Sequence, residues 1–429
     1  MQHSYGAAFS RVQSGEEKYR LIKSGESDLD DAAWIAQNEA EITRLRSMID
    51  DEAVCKHASS LNGGRKCTIE HFSLSGDESF MGAANYHARI RFEDGSPSWF
   101  LRVPRVATCN TVSISLIEYL ICSEYATLKF LETTAVPAPH AFSYGLAGTN
   151  RDHGVGVSFI LMEEVAGICW SSGEASKEEK AKVWAGLARI LKELEKHPFE
   201  KAGSLCLYSS QLQVSKCASD RFLVLDPRGP FSTSTEYYSA FAEQYLELIA
   251  DGQLYTEYPI NAYLVYRFLK DNVHQFKRSV DSDGVERFYL KHVDDKGDHL
   301  FVDDQLNITG IIDWQMARVV PREEAFGPSL VTADMEALCG GSVPLSLDDK
   351  VLLDLLHKGG MTGSTSDSAD EKIRRFFWGL ALETEWKYAL PLATAILKCF
   401  GVEEKWDAWK EKALKEYETD DGLIRLVGS

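Results

Sequence analysis

The stretch from Phe288 to Ala317, FYLKHVDDKGDHLFVDDQLNITGIIDWQMA, constrains the fold more than any other part of the chain. Its apolar residues come in short runs, Phe288–Leu290, Leu300–Val302 and Ile308–Ile312, separated by polar, turn-forming residues. Such runs are too short and too closely spaced for helices and read as buried strands. The first run delivers His292, Val293 and Asp294 into a polar loop. The turn Asp303–Asn307 leads into the third run, which ends at Asp313 and Trp314. Two carboxylates therefore stand at the ends of short buried strands. One strand-loop-strand unit can aim both at a common bound group.

Composition bounds what surrounds that stretch. A chain of 429 residues that is 44% hydrophobic can build one or two domains with a sizeable core. No apolar run approaches the roughly 20 residues of a membrane-spanning helix. The N-terminus, MQHSYGAAFSRVQSGEEKYR, lacks the apolar centre of a secretory signal, so a soluble cytoplasmic protein is expected. The 65 Asp and Glu outnumber the 46 Lys and Arg, for a net charge of −19. That argues against nucleic acid or an anionic membrane as partner, because phosphate backbones are bound by clustered cations. It is compatible with a cationic small molecule; solubility through like-charge repulsion is the plainer explanation. Nine cysteines are scattered without C-x-x-C spacing, several in apolar contexts such as Cys122 and Cys399. They read as reduced buried thiols rather than as a disulfide framework or a zinc site.

Along the chain, Asp31–Ile49 carries a helical stripe, and Asn62-Gly63-Gly64 marks a linker, so residues 1–66 read as a helical extension and linker. A β-meander follows, with strands at Thr68–Leu74, His87–Phe92 and Trp99–Val103. Thr111–Thr133 is a helix carrying Glu118 and Glu124, and Val155–Met162 reads as an apolar strand. Ser176 and Glu179 form a capping box ahead of a helix that Pro198 ends. Gly203–Thr233 reads as loop, 234–250 and 261–276 as helices, and Arg318–Pro328 as loop with a short helix. The remainder reads as mainly helical, with Trp378, Trp386, Trp406 and Trp409 packing between helices. The class is α+β: β-rich first, helix-rich later.

His292-x-Asp294, a loop, apolar residues and then Ile312-Asp313-Trp314 closely resemble the catalytic segment of the aminoglycoside phosphotransferase family. Arg102 ending a strand, the segment Ser-Glu-Tyr-Ala-Thr-Leu-Lys-Phe-Leu around Glu124, and Val136-Pro137-Ala138-Pro139 match it in the same order. The resemblance implies a bilobal protein-kinase-like fold. A small β-rich N-lobe would span 67–162 and a larger helical C-lobe 163–429. It also implies a small-molecule kinase that moves the γ-phosphoryl of ATP or GTP to a substrate hydroxyl with Mg²⁺. In that reading Asp294 orients the hydroxyl and accepts its proton. Asp313 holds the metal, and His292 braces the loop. Arg102 takes the place of the family's usual Lys at the phosphates, with Glu124 as its partner; Arg keeps the charge and can bind phosphate bidentately. The loop Ser79–Tyr86, with Gly82 and Asn85, would cover the phosphates with backbone N–H groups. Met162, Glu163 and Val165 would line the base at the hinge. Taken alone, the loop reads as an ordinary hairpin connection, Arg102 as a solvated strand-end residue, and Val155–Met162 as a core strand with an acidic end.

One position departs from the family. Where it places Asn five residues after the catalytic Asp, to give the metal a neutral oxygen, this chain has His299. Mg²⁺ prefers oxygen, and imidazole is a poor substitute. Asp298 could supply the missing ligand, Asp313 could hold the metal alone, or the protein could bind nucleotide without transfer. His299 could equally turn away and pack on the loop. The alternative function is thus a catalytically weak or inactive nucleotide-binding protein. A protein kinase is disfavoured, because Asp313-Trp314-Gln315 stands in place of Asp-Phe-Gly. The sequence leaves the acceptor open; related enzymes phosphorylate choline, homoserine and sugars.

Overall fold

The computed structural model describes residues 8–11, 19–22, 31–72, 84–105, 114–149, 151–173, 175–217, 228–276, 280, 283–361 and 370–428. The chain divides into two compact units. The first comprises Met1–Thr133, Ala138–Ala166 and Cys206–Leu212. The second comprises Thr134–Pro137, Gly167–Leu205 and Gln213–Ser429.

The first unit begins with a small antiparallel pair, β1 (Ala8–Arg11) and β2 (Tyr19–Ile22), where a helix was expected. Helices α1 (Asp31–Met48) and α2 (Asp51–Leu61) follow. Asp50 caps α2 by accepting a bond from Ala53 N, which satisfies a donor the first helical turn leaves open. Then come β3 (Cys67–His71), β4 (Asn85–Phe92), β5 (Trp99–Pro104), α3 (Ile114–Leu131), β6 (Ala141–Gly145) and β7 (Phe159–Glu163). The strands make one antiparallel sheet in the order β3-β4-β5-β7-β6. One face of it is apolar. Tyr86, Ala88 and Ile90 of β4, Leu101 and Val103 of β5, and Phe159 and Leu161 of β7 pack with Ile42, Leu45, Val54 and Ala58 of the two helices. The helices before residue 66 thus complete the core of the sheet.

Two expectations need correction here. The strand read at Val155–Met162 starts only at Phe159. Gly154 and Gly156 have φ of +78° and +86°, and a Cβ on Gly156 would sit 2.4 Å from the carbonyl oxygen of Met48. The apolar residues Val155 and Val157 therefore receive the end of α1, with Asp50 N–H donating to Val155 O, instead of extending the sheet. In turn, Ala141–Gly145 became a strand that sequence periodicity did not mark.

The second unit contains β8 (Ile168–Cys169), α4 (Lys177–Glu195), β9 (Ser204–Tyr208), β10 (Gln211–Ser215), α5 (Ser234–Ala250) and α6 (Pro259–Asn272), with part of the β9–β10 hairpin belonging to the first unit. Both bonds of the Ser176–Glu179 capping box are present at α4. The β9–β10 hairpin replaces an expected loop. It turns through Ser209 and Ser210, both at positive φ, as a tight two-residue hairpin turn requires. Four strands follow, β11 (Phe288–Lys291), β12 (Leu300–Val302), β13 (Ile308–Ile311) and β14 (Arg318–Pro321). Arg318–Pro321 was expected to be loop; it is a fully buried strand because it closes on β11. The rest is helical: α7 (Arg322–Phe326), α8 (Met335–Cys339), α9 (Leu347–Lys358), α10 (Asp370–Leu382), α11 (Trp386–Cys399), α12 (Trp406–Glu416) and α13 (Asp421–Gly428). Their core is aromatic. Tyr245 stacks on Tyr266, and Trp386, Trp406 and Trp409 pack as tilted rings between α6, α11 and α12. The α+β class holds, with an antiparallel sheet in the first unit and a largely helical second unit. Among the described residues no helix is long and apolar enough to cross a membrane.

Candidate active site

Two antiparallel ladders build the acidic centre of the second unit. β11 pairs with β14, ending at Lys291↔Arg318. β12 pairs with β13, starting at Leu300↔Ile311, and its other edge takes β8. Gly167 (φ +117°) allows that last approach, since a Cβ there would lie 2.6 Å from Val302 O. The loop 292–299 thus runs from the end of one ladder to the start of the other, and the segment 312–317 returns the chain between the same two ladders. A bond from Ile312 N–H to His299 O, 3.0 Å, ties the two connections together. Asp294 lies in one of them and Asp313 in the other.

Asp313 has φ +63°. A left-handed backbone costs a residue with a Cβ about 1–2 kcal/mol, least for Asn and Asp, whose side chains can bond locally. The neighbours fix this turn. Trp314 is buried and its Nε1–H donates to Ile311 O at 2.7 Å. His292 Nε2–H donates to Ile312 O at 2.8 Å, and its ring packs edge-on against Trp314. His292 spends its proton on a carbonyl, and burial followed by the nearby His299 lowers its pKa. It braces the loop.

His299 is the hub of the acidic centre. Its Nε2 lies 3.1 Å from Asp294 Oδ2 and 3.4 Å from Asp298 Oδ1. Burial alone would lower the pKa of this ring. The bond to Asp294 and the charges of Asp313 and Asp298 outweigh that and raise it. Nε2 therefore carries hydrogen toward the carboxylates, and a nitrogen that donates cannot ligate a cation. Lys296 Nζ adds a second positive group, 3.4 Å from Asp294 Oδ1 and 3.2 Å from Asp298 Oδ2. The next residue is held quite differently. Asp295 accepts bonds from Arg374 of α10 at 2.7 and 2.6 Å and lies 3.1 Å from Lys291 Nζ. Burial pushes its carboxyl up, but Arg374 and Lys291 prevail and hold it far below the usual carboxylate range. Lys291 and Lys296 stand in the diagnostic stretch itself. Arg374 lies 79 positions away, and no local pattern connects it to the loop.

The donor set decides what this centre could hold. Asp313 and Asp298 offer hard oxygens, and Asp298 is exposed enough to turn toward a cation. His299, already committed to two carboxylates, does not fit. Among the described residues no cluster of three or more His, Cys, Asp or Glu side chains is arranged to enclose a metal. Two carboxylates, with phosphate and water completing the shell, suit Mg²⁺, which rarely takes an all-protein cage.

In the first unit, strand alternation explains Arg102. Leu101 and Val103 face the apolar core, so Arg102 points to the opposite face of β5. There it donates from Nη1 to Oε1 of Glu124 on α3, and both residues are buried. Asn85 opens β4 with its side chain buried, opposite Pro104. Gly82 lies outside the described residues. Met162 is buried in β7. The N–H groups of Glu163 and Glu164 donate to His140 O and Ser98 O, and the Glu163 carboxylate accepts from His140 N. These groups serve the sheet. Val165 follows, half-buried. Sequence reasoning missed the pair beside them, Arg89 of β4 donating to both oxygens of Glu164.

Among solved structures, the chain is similar to a provisionally assigned aminoglycoside phosphotransferase of Ralstonia eutropha, at 14% identity and a TM-score of 0.50, covering 88% of this chain and 98% of that one. It is also similar to an aminoglycoside phosphotransferase solved with gentamicin (14% identity, TM-score 0.42, 82% and 96% covered). A choline kinase of Streptococcus pneumoniae matches at 15% identity and a TM-score of 0.42, with 87% and 98% covered. At 14% identity the first of these likenesses speaks to the fold alone. No curated protein matches the sequence. Residues 82–338 match the phosphotransferase enzyme family APH, a span that covers more than half of the chain and takes in both Arg102–Glu124 and the acidic centre. The chain belongs to the APH phosphotransferase enzyme family.

Proposed function

We propose that this protein transfers the γ-phosphoryl group of ATP or GTP to a hydroxyl of a small molecule. The observation that carries the reading is the convergence on His299 of three carboxylates, Asp294, Asp298 and Asp313, from the two connections between adjacent ladders. Phosphoryl transfer asks a protein chiefly for positioning and charge neutralisation. Asp294 accepts the proton of the acceptor hydroxyl as its oxygen bonds to the γ-phosphorus and the bond to the β-phosphate oxygen breaks. Lys296 and His299 keep the Asp294 carboxylate oriented and ionised before the proton arrives. Arg102, locked by Glu124, contacts the α- and β-phosphates, with backbone groups around Gly82 and Asn85 beside them. Met162, Glu163 and Val165 flank the base. Asp313 and Asp298 would hold Mg²⁺, which when bound neutralises phosphate charge. The acidic net charge favours an acceptor bearing amino groups.

A second reading has its own observation. Asp294 is already engaged by Lys296 and His299, as expected of a protein that binds nucleotide without transferring from it. Nucleotide turnover measured against a panel of hydroxyl metabolites and aminoglycosides separates the two. In the kinase reading one acceptor class supports turnover, and Asp294→Asn lowers kcat about 10²–10⁴-fold while nucleotide still binds. Nucleotide binding without turnover on any acceptor favours the second reading.

A further inference from the structure

The geometry points to Arg374 as the residue that positions Asp294, an inference that rests on Asp294 being the catalytic base. Asp294 belongs to no strand. β11 ends at Lys291 and β12 begins at Leu300, and the loop between them contains Gly297 at φ +101°. A base on such a loop must be held from outside. Arg374 does this on both sides of it. Its Nη1 donates to the carbonyl of Val293, the residue before Asp294, over a long 3.5 Å. Its Nη2 donates to both oxygens of Asp295, the residue after, at 2.7 and 2.6 Å. Lys291 Nζ and Leu330 N–H complete the grip on Asp295 at 3.1 and 3.5 Å. With its neighbours tethered, Asp294 is left facing Lys296 and His299.

The tether has a firm base. Arg375, next to Arg374 on α10, is buried against Asp349 and Ser329, while Ile373, Phe376 and Phe377 enter the aromatic core. A guanidinium fork suits the task because it reaches two acceptors from one rigid plane, which an ammonium does not. Arg374 also lies beyond residues 82–338, the part of the chain that matches the family. The device that aims the base is therefore supplied by the C-terminal helices of this chain. Arg374 is a positioning residue; it acts through Asp295 and Val293 on Asp294.

The test uses the full chain with Arg374→Met and Arg374→Lys, each alone and combined with Asp294→Asn. Misplacing a reacting group by about 1 Å can cost on the order of 10²-fold, so kcat of Arg374→Met is expected to fall about 10–100-fold with the nucleotide KM little changed. Arg374→Lys, which keeps the charge but loses the fork, falls between that variant and the wild type. In the Asp294→Asn background the same change costs little more, because the group it positions is gone. Hydrogen exchange in residues 292–299 quickens in Arg374→Met while peptides of α5 and α11 keep their wild-type rates. Unaltered loop exchange overturns the inference, and so does an Arg374→Met effect on kcat that multiplies in full with that of Asp294→Asn. Quickened loop exchange in a protein that turns over no acceptor leaves the tether standing and removes the kinase reading. If Arg374→Met does not fold, Arg374→Lys carries the same comparisons.

Discussion

Arg102 with Glu124 in the first unit and the loop 292–299 in the second both bring charge into protein interior, by different means. The first is a pair: a strand-face arginine meets a helix carboxylate, and each is almost fully enclosed. The second is a network. Lys291, Asp295 and Arg374 share one set of contacts, Asp294, Lys296, Asp298 and His299 another, and Glu324 lies within electrostatic reach of both Lys291 and Arg374. The Arg102–Glu124 contact is stiff and brittle, since removing the arginine strands the Glu124 carboxylate in low dielectric. A network can lose a member and still leave every remaining charge a counterpart. In the proposed reaction, stiffness would suit a cation that meets phosphate at a fixed place, and redundancy would suit a loop whose carboxylates stay ionised and oriented around a changing substrate.

The comparison can be broken most easily at Arg102. Arg102→Met should destabilise the protein by about 3–5 kcal/mol in chemical denaturation, the usual result of orphaning a buried charge, here the Glu124 carboxylate. The double variant Arg102→Met/Glu124→Leu should recover most of that loss without recovering nucleotide affinity. A double variant as unstable as the single one would mean that the pair is not self-contained. Asp295→Asn should be milder, about 1–2 kcal/mol, because Lys291 and Arg374 retain hydrogen-bond acceptors and Glu324 nearby. A loss as large as that of Arg102→Met would show that the network is no more redundant than the pair.

The smallest effect is in pH dependence, and it differs between the units. In the first, His57 stacks on His153 at 3.9 Å and bonds Ser143 Oγ at 2.9 Å; burial, then His153, lowers its pKa to about 4. The unfolded chain takes up this proton at about pH 6.5, the folded one only near pH 4, so stability falls between those values as pH drops. In the second, the folded pKa of Asp295 is depressed. Its contribution is complete above the unfolded carboxylate value of about 3.9 and is lost below it. Hydrogen exchange followed peptide by peptide across pH should show the peptides around His57 loosening between about pH 6.5 and 4; in the loop 292–299 the contribution of Asp295 is lost only below about pH 3.9, while His292, whose pKa is also lowered, loosens the loop below about pH 6.5. His57→Gln should flatten the first slope. An unchanged slope in that variant would assign it to another group.

Legibility followed locality. Asp294 and Asp313 were visible because strand ends are marked by where apolar runs stop. Arg102 and Glu124 were picked out by the family resemblance of the segments around them, and strand alternation explains why Arg102 leaves the apolar face. The readings that failed lacked such markers. Val155–Met162 looked like one strand, since nothing in its composition says that Met48 packs where Gly156 must turn. Arg318–Pro321 looked like loop, since its strand exists only by pairing with β11. The role of His299 stays open in the sequence because its neighbours are not local; the two carboxylates on its Nε2 favour a donor.

By itself the sequence determined the order of parts: a sheet-forming first portion with one charged strand end and one charged helix, then the ladder-forming stretch 288–317 within a helical remainder. These follow from periodicity and turn chemistry, which act over a few residues. Only the tertiary structure decided what each charge meets. Arg374 reaches Asp295 across 79 positions and Arg89 reaches Glu164 across 75. A buried charge is settled by whatever counter-charge the packed chain places within a few ångströms, and no local pattern encodes that encounter.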